Sequence, residues 1–141
     1  MKLLYSLILV LLYSVVVFST NMYAHGKEIV KEELRAQKAL KTIPSSLESN
    51  IPGIVESSIY NAIVVKNYYP EGNYSDIIDR LNDISKENPD PAIRAKAHLA
   101  SIYLNSNNII TVEPKHNAFD HEYIFRQITQ QLDNKFLISS R

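Results

Sequence analysis

Cysteine and tryptophan are both missing from this chain of 141 residues, and glycine occurs only three times. Without cysteine there is no disulfide and no thiolate metal site, so packing alone has to hold the fold. The same absence excludes an N-terminal lipid carried on cysteine. Three glycines leave little material for phosphate-cradling loops, and neither the P-loop pattern nor a Gly-x-Ser-x-Gly elbow occurs. An excess of charge of one sign is lacking too. Fifteen Lys and Arg stand against fifteen Asp and Glu, with no basic block, which argues against nucleic acid or an anionic membrane surface as partner.

One long uncharged run is present, and it lies at the start. Met1 and Lys2 supply a short positive region, and Leu3 to Phe18 carries no charge. That is the length of a signal-peptide core and shorter than the ~20 apolar residues of a bilayer-spanning helix. Ala24 provides the small residue expected before a cleaved bond, with Ser19 as an alternative, so residues 1–24 read as a secretory signal. An uncleaved anchor spanning Leu3 to Tyr23 is the competing reading, and it would be the chain's one attachment to a membrane. The expected location is periplasmic or secreted. Cleavage leaves residues 25–141, enough for one domain that buries about two-thirds of its unfolded surface.

Apolar residues in this mature part recur at three- and four-residue steps, the spacing of helices with one buried face. The first helix covers about 28–42, with Ile29, Val30, Leu34, Ala36, Ala39, Leu40 and Ile43 on its stripe; Pro44-Ser45-Ser46 is expected to break or kink it, with a short helical turn resuming over Leu47 to Asn50. The second covers 52–69, opened by Pro52 at the first helical position and stopped by Pro70. Tyr68 and Tyr69 fall at its end. The third covers 75–87, with Ser75 as cap and Ile77, Ile78, Leu81 and Ile84 facing the core. The fourth covers 91–104 and is alanine-rich, with Asp90 as cap, Pro91 at its first position and Ile93, Ala97, Ala100 and Leu104 on one face. Its small residues allow a neighbouring helix to approach closely. Ile109 to Val112 is a β-prone run with no partner strand, expected to lie extended on the helices. A last helix covers about 118–137, with Ile124, Phe125, Ile128, Leu132 and Phe136 as its stripe. The fold class is all-α.

The stretch Asp90-Pro91-Ala92-Ile93-Arg94, followed by Ala97, Ala100 and Leu104, resembles a HEAT repeat over residues 74–104. The resemblance implies a short array of antiparallel helical pairs, with a small helical bundle as the other arrangement open to this pattern. It also implies a protein-binding role and an Arg94 that reaches the Asp of an adjacent loop.

Candidate chemistry is sparse. His116, Asp120, His121 and Glu122 are metal-competent, and His25 would sit at the new N-terminus. No His-Glu-x-x-His motif joins any of them, and helix-start solvation accounts for the cluster. His98, between Ala97 and Leu99, reads as a surface or edge-packed histidine. No nucleophile–base pair is specified, and neither cofactor nor metal is called for. The expectation is therefore an exported, non-enzymatic protein that binds another protein, with Tyr68, Tyr69, Arg94 and Lys96 as candidate contacts. Tyrosine offers an interface both area and a hydroxyl. The alternative expectation is a small periplasmic metal- or ligand-binding protein using His25, His116, Asp120 or His121.

Overall fold

The computed structural model describes residues 31–106, 109–113 and 121–139, and the side chains among these as far as residue 135. The signal segment 1–24, the start of the first helix, His25, His116, Asp120 and the side chain of Phe136 lie outside the described residues. The chain divides into two units, 1–35 and 36–141. In the first, the described residues are helical and Arg35 pairs with Glu32 at 2.7 Å, both well exposed. Everything below concerns the second.

The protein is all-α, and no strand occurs among the described residues. Its described helices are α1 (36–47 within this unit), α2 (Pro52–Tyr68), α3 (Ser75–Glu87), α4 (Pro91–Asn105) and α5 (His121–Ser139). The limits of α2, α3 and α4 fall within one residue of those read from the sequence. No helix among the described residues is long and apolar enough to cross a membrane.

α1 departs from the sequence reading. It does not end at residue 42 but runs through Pro44 to residue 47. Ile43 and Leu47 are both buried at an i, i+4 step, so stopping before Pro44 would leave Leu47 off the core face. Proline removes one helical donor here. Hydroxyls add bonds to other carbonyls of these turns: Thr42 Oγ1 donates to Lys38 and Ala39, and Ser45 and Ser46 donate to Thr42. Packing of the two apolar residues outweighs the local cost.

α2 opens at Pro52 and buries Val55, Ile59, Ala62 and Ile63 along one face. Ser58 is also buried and donates to the Ile54 carbonyl at 2.7 Å, so it brings no unsatisfied group into the core. The turn after α2 is tight. The Tyr74 hydroxyl donates to the Tyr69 carbonyl at 2.6 Å, and the Lys66 ammonium donates to the Pro70 carbonyl at 2.8 Å while lying 4.8 Å from the centre of the Tyr74 ring. Gly72 sits inside this turn because a Cβ there would come within 2.8 Å of Leu40 Cδ1 and 2.9 Å of Tyr69 Cδ1.

At the head of α3 the capping group is not Ser75. Ser75 is the first helical residue, and its N–H and hydroxyl both donate to Asn73 Oδ1, at 3.1 and 2.9 Å. Asparagine two residues back closes an Asx turn that a serine at this position cannot make for itself. Asp90 is the cap expected at α4, accepting the Ala92 N–H at 2.8 Å.

α4 is the hub. It packs on α2, α3 and α5, and buries Ile93, Ala97, Ala100, Ser101, Tyr103 and Leu104. Ala97 and Ala100 have no exposed surface. Side chains this small bring neighbouring helix axes toward the lower end of the usual 8–10 Å range. Ser101 donates to Asn82 Oδ1 at 2.7 Å, tying α4 to α3. Replacing Asp90 with alanine is expected to lower stability by about 1 kcal/mol. Asp90→Asn should stay close to the parent, since asparagine caps equally well. Urea unfolding of the two variants checks this.

Residues 109–113 alternate exposed and buried, with Ile110 and Val112 turned into the core. They lie on the helices as their composition implies, but the chain bends at Ile109 and Ile110, where the Ile109 N–H donates to the Ser106 carbonyl at 2.9 Å.

Candidate interaction surface

The four residues singled out in the sequence do not converge. Tyr68 is exposed at the last turn of α2, whereas Tyr69 is half-buried and its carbonyl is held by Tyr74. Lys96 is joined to Glu56, twelve residues before Tyr68 on α2, which puts the two about 18 Å apart along the helix. Arg94 does not reach the acid of a neighbouring loop. Its guanidinium donates to the carbonyls of Asn88 at 2.7 Å and Pro89 at 3.1 Å, stitching the α3–α4 turn to the helix it leads into.

Lys96 lies between two carboxylates, Glu56 of α2 and Glu122 of α5, and bonds both. Its side chain is 13 % exposed. Burial acts to lower its pKa, but hydrogen bonds and charge attraction from Glu122 and Glu56 prevail and hold it above the usual lysine value. The ammonium also lies 5.6 Å from the centre of the Phe125 ring. One α4 side chain thus braces three helices. Nothing local in the sequence marks it, because its partners are forty and twenty-six residues away.

Beside this brace runs an open groove of about 410 Å³ between α4 and α5. Leu99 and Phe125 supply its apolar floor, Ala92 and Ala95 one low wall, and Thr129 with Arg126 the other. The two alanines are exposed. Glu122 and Lys96 close one end and are bonded to each other. The arrangement offers apolar area framed by polar groups, of which Lys96, Glu122 and Thr129 are engaged within the fold. A second groove, of about 480 Å³, lies on the other side of the α4–α5 contact, where exposed His98 lines it together with Ile102 and Leu132.

The metal-competent residues are dispersed as far as they are described. His121 stacks on Tyr60 with ring centroids 4.1 Å apart, and Glu122 serves Lys96. Among the described residues, no group of three or more His, Asp or Glu side chains is placed to hold a metal ion. Compared with known proteins, the chain matches no family model, no curated protein and no solved structure.

Two core tyrosines set an alkaline limit. Burial pushes the Tyr74 hydroxyl far above its ordinary value of 10.0, with added repulsion from Tyr103 and Tyr69, and burial alone raises Tyr103. A raised folded-state pKa contributes stability that is complete below the unfolded value and is lost as pH climbs through the folded one. Lys96 follows the same sign. The urea midpoint should therefore hold steady up to about pH 9 and fall above about pH 10. In Tyr74→Phe the alkaline fall should be visibly shallower.

Proposed function

We propose that this protein is an exported protein-interaction module that holds its partner in the groove between α4 and α5. The observation that carries the reading is the groove itself: a floor of partly exposed Leu99 over buried Phe125 lies beside two exposed alanines. Small residues on one wall let a partner backbone come close, and partly exposed Leu99 offers it apolar area. A small-molecule site would be expected to converge several polar groups on one ligand. Here Lys96 and Glu122 are engaged with each other and, through Glu56, with the fold.

Export is the reading of Leu3 to Phe18 as a signal core. A HEAT-like pairing of α3 with α4 is supported by the Asp90 cap and by alanines at two fully buried positions. Within this account Arg94 and Tyr69 serve the fold, Lys96 braces the groove wall, and Tyr68 stands apart from it.

The test is a paired capture from the envelope of the native host, with parent protein and Ala95→Arg as baits. Position 95 is exposed and arginine is a good helix former, so the variant should fold as the parent does. The reading expects a recurrent prey with the parent that is lost with Ala95→Arg at unchanged helicity. Equal recovery of that prey by both baits would place the interaction elsewhere and overturn the assignment.

A further inference from the structure

The segment 109–113, bent at Ile109 and Ile110, is held in an unusual way. Gln127, Gln131 and Lys135 stand at four-residue steps on α5, and each bonds the main chain of the segment rather than its side chains. The Gln127 amide accepts the Glu113 N–H and donates to the Glu113 carbonyl, both at 3.1 Å. Gln131 does the same at Thr111, accepting its N–H at 3.1 Å. Lys135 donates to the Ile109 carbonyl at 2.9 Å.

The periods explain why the glutamine rungs fit. Four residues of helix advance about 6.0 Å and two residues of unbent chain about 6.6 Å, so the rungs at Thr111 and Glu113 stay in step, while the Lys135 rung reaches Ile109 beyond a bend. A glutamine amide offers one donor and one acceptor side by side, as a neighbouring strand would. The side chains of Ile109, Thr111 and Glu113 are exposed, and the rungs themselves are open to water. Selectivity then falls to Ile110 and Val112, which are 4 % and 3 % exposed. Main-chain bonds for affinity and alternate apolar pockets for specificity are the division of labour found where peptides add to a sheet edge.

We propose that this face of α5 is a receptor for extended protein segments bearing branched apolar residues two positions apart, and that 109–113 is its resident occupant, replaced by a partner segment of the same chemistry. Three of the five positions impose no side-chain requirement, so a foreign segment remakes every rung. Only two apolar side chains have to leave for the exchange. The resident lowers the apparent affinity for any incoming segment by the fraction of time the site is open. This surface lies on a different face of α5 from Phe125 and Thr129, and it stands or falls independently of the α4–α5 groove.

The experiment uses a fluorescent peptide with the sequence of residues 106–113, titrated into the full chain and into Ile110→Thr/Val112→Thr, which weakens the resident. Saturable binding that is at least tenfold tighter to the double variant, and that disappears when Gln127→Ala and Gln131→Ala are added, is the expected result. No binding to a folded double variant, or binding indifferent to the two glutamines, would overturn it. A second measurement needs no variant. Excess peptide should strip hydrogen-exchange protection from the Thr111 and Glu113 amides of the parent, and unchanged protection at saturating peptide would count equally against the proposal. Ala95→Arg should leave both readouts as they are.

Discussion

Ile59→Ala should cost about 3–4 kcal/mol. Ile59 has no exposed surface and sits in the middle of the stripe Val55, Ile59, Ala62 and Ile63. Truncation removes three carbons and leaves a cavity, and the cavity term is large where the walls cannot collapse. Collapse is hindered here because α2 packs on α4, and α4 is held in turn by α3 and α5. In a domain of this size the loss corresponds to a melting temperature lower by on the order of 15 °C. Thermal and urea unfolding followed by circular dichroism measure it. A loss under about 1 kcal/mol would mean that the α2–α4 interface is loosely packed and that the core described above is misplaced.

Ala97→Leu is the second large effect, and it acts in the opposite direction, by adding volume. Ala97 has no exposed surface, on the helix that touches three others. Extra carbons at this position must push a neighbouring helix away or force an unfavourable rotamer, which costs about 1–3 kcal/mol. Ala95, two residues earlier, is exposed. Ala95→Leu should change stability by less than about 0.5 kcal/mol, as surface substitutions usually do. The contrast isolates close helix approach as the cause, since both variants exchange alanine for the same residue in the same helix. Equal stabilities for the two would contradict the orientation of α4.

How much of this was legible beforehand depended on whether the signal was local. The ends of α2, α3 and α4 were readable because Pro52, Pro70, Asp90 and Pro91 are strong punctuation with fixed backbone consequences. Pro44 misled for the same reason. The proline signal is local, whereas the burial of Ile43 and Leu47 that overrides it is a tertiary fact. Ser75 was an attractive cap in a one-dimensional reading, but the acceptor is Asn73, which was also a turn former in plain view.

The interaction surface was harder to see. Lys96 was picked out as a contact residue, yet its role as a brace depends on Glu56 and Glu122, and no window of sequence contains all three. The groove depends on which side of α4 meets α5, a matter of packing. Gln127, Gln131 and Lys135 had a visible four-residue spacing, although spacing alone does not say that the helix faces an extended chain. That Ile109 to Val112 lies on the helices was readable from its branched residues and the lack of a partner strand, whereas the bend at Ile109 and Ile110 was not.

The central claim, that the α4–α5 groove receives a protein partner, is tested most directly by photo-crosslinking from position 95 in the native host. A photoreactive residue at Ala95 is compared with one at Asp79, an exposed position on α3 outside the groove. A groove that receives a partner gives a discrete adduct of defined mass from position 95 and none from position 79. Adducts of equal yield from both positions, or none from position 95 while the folded protein is abundant, would contradict it.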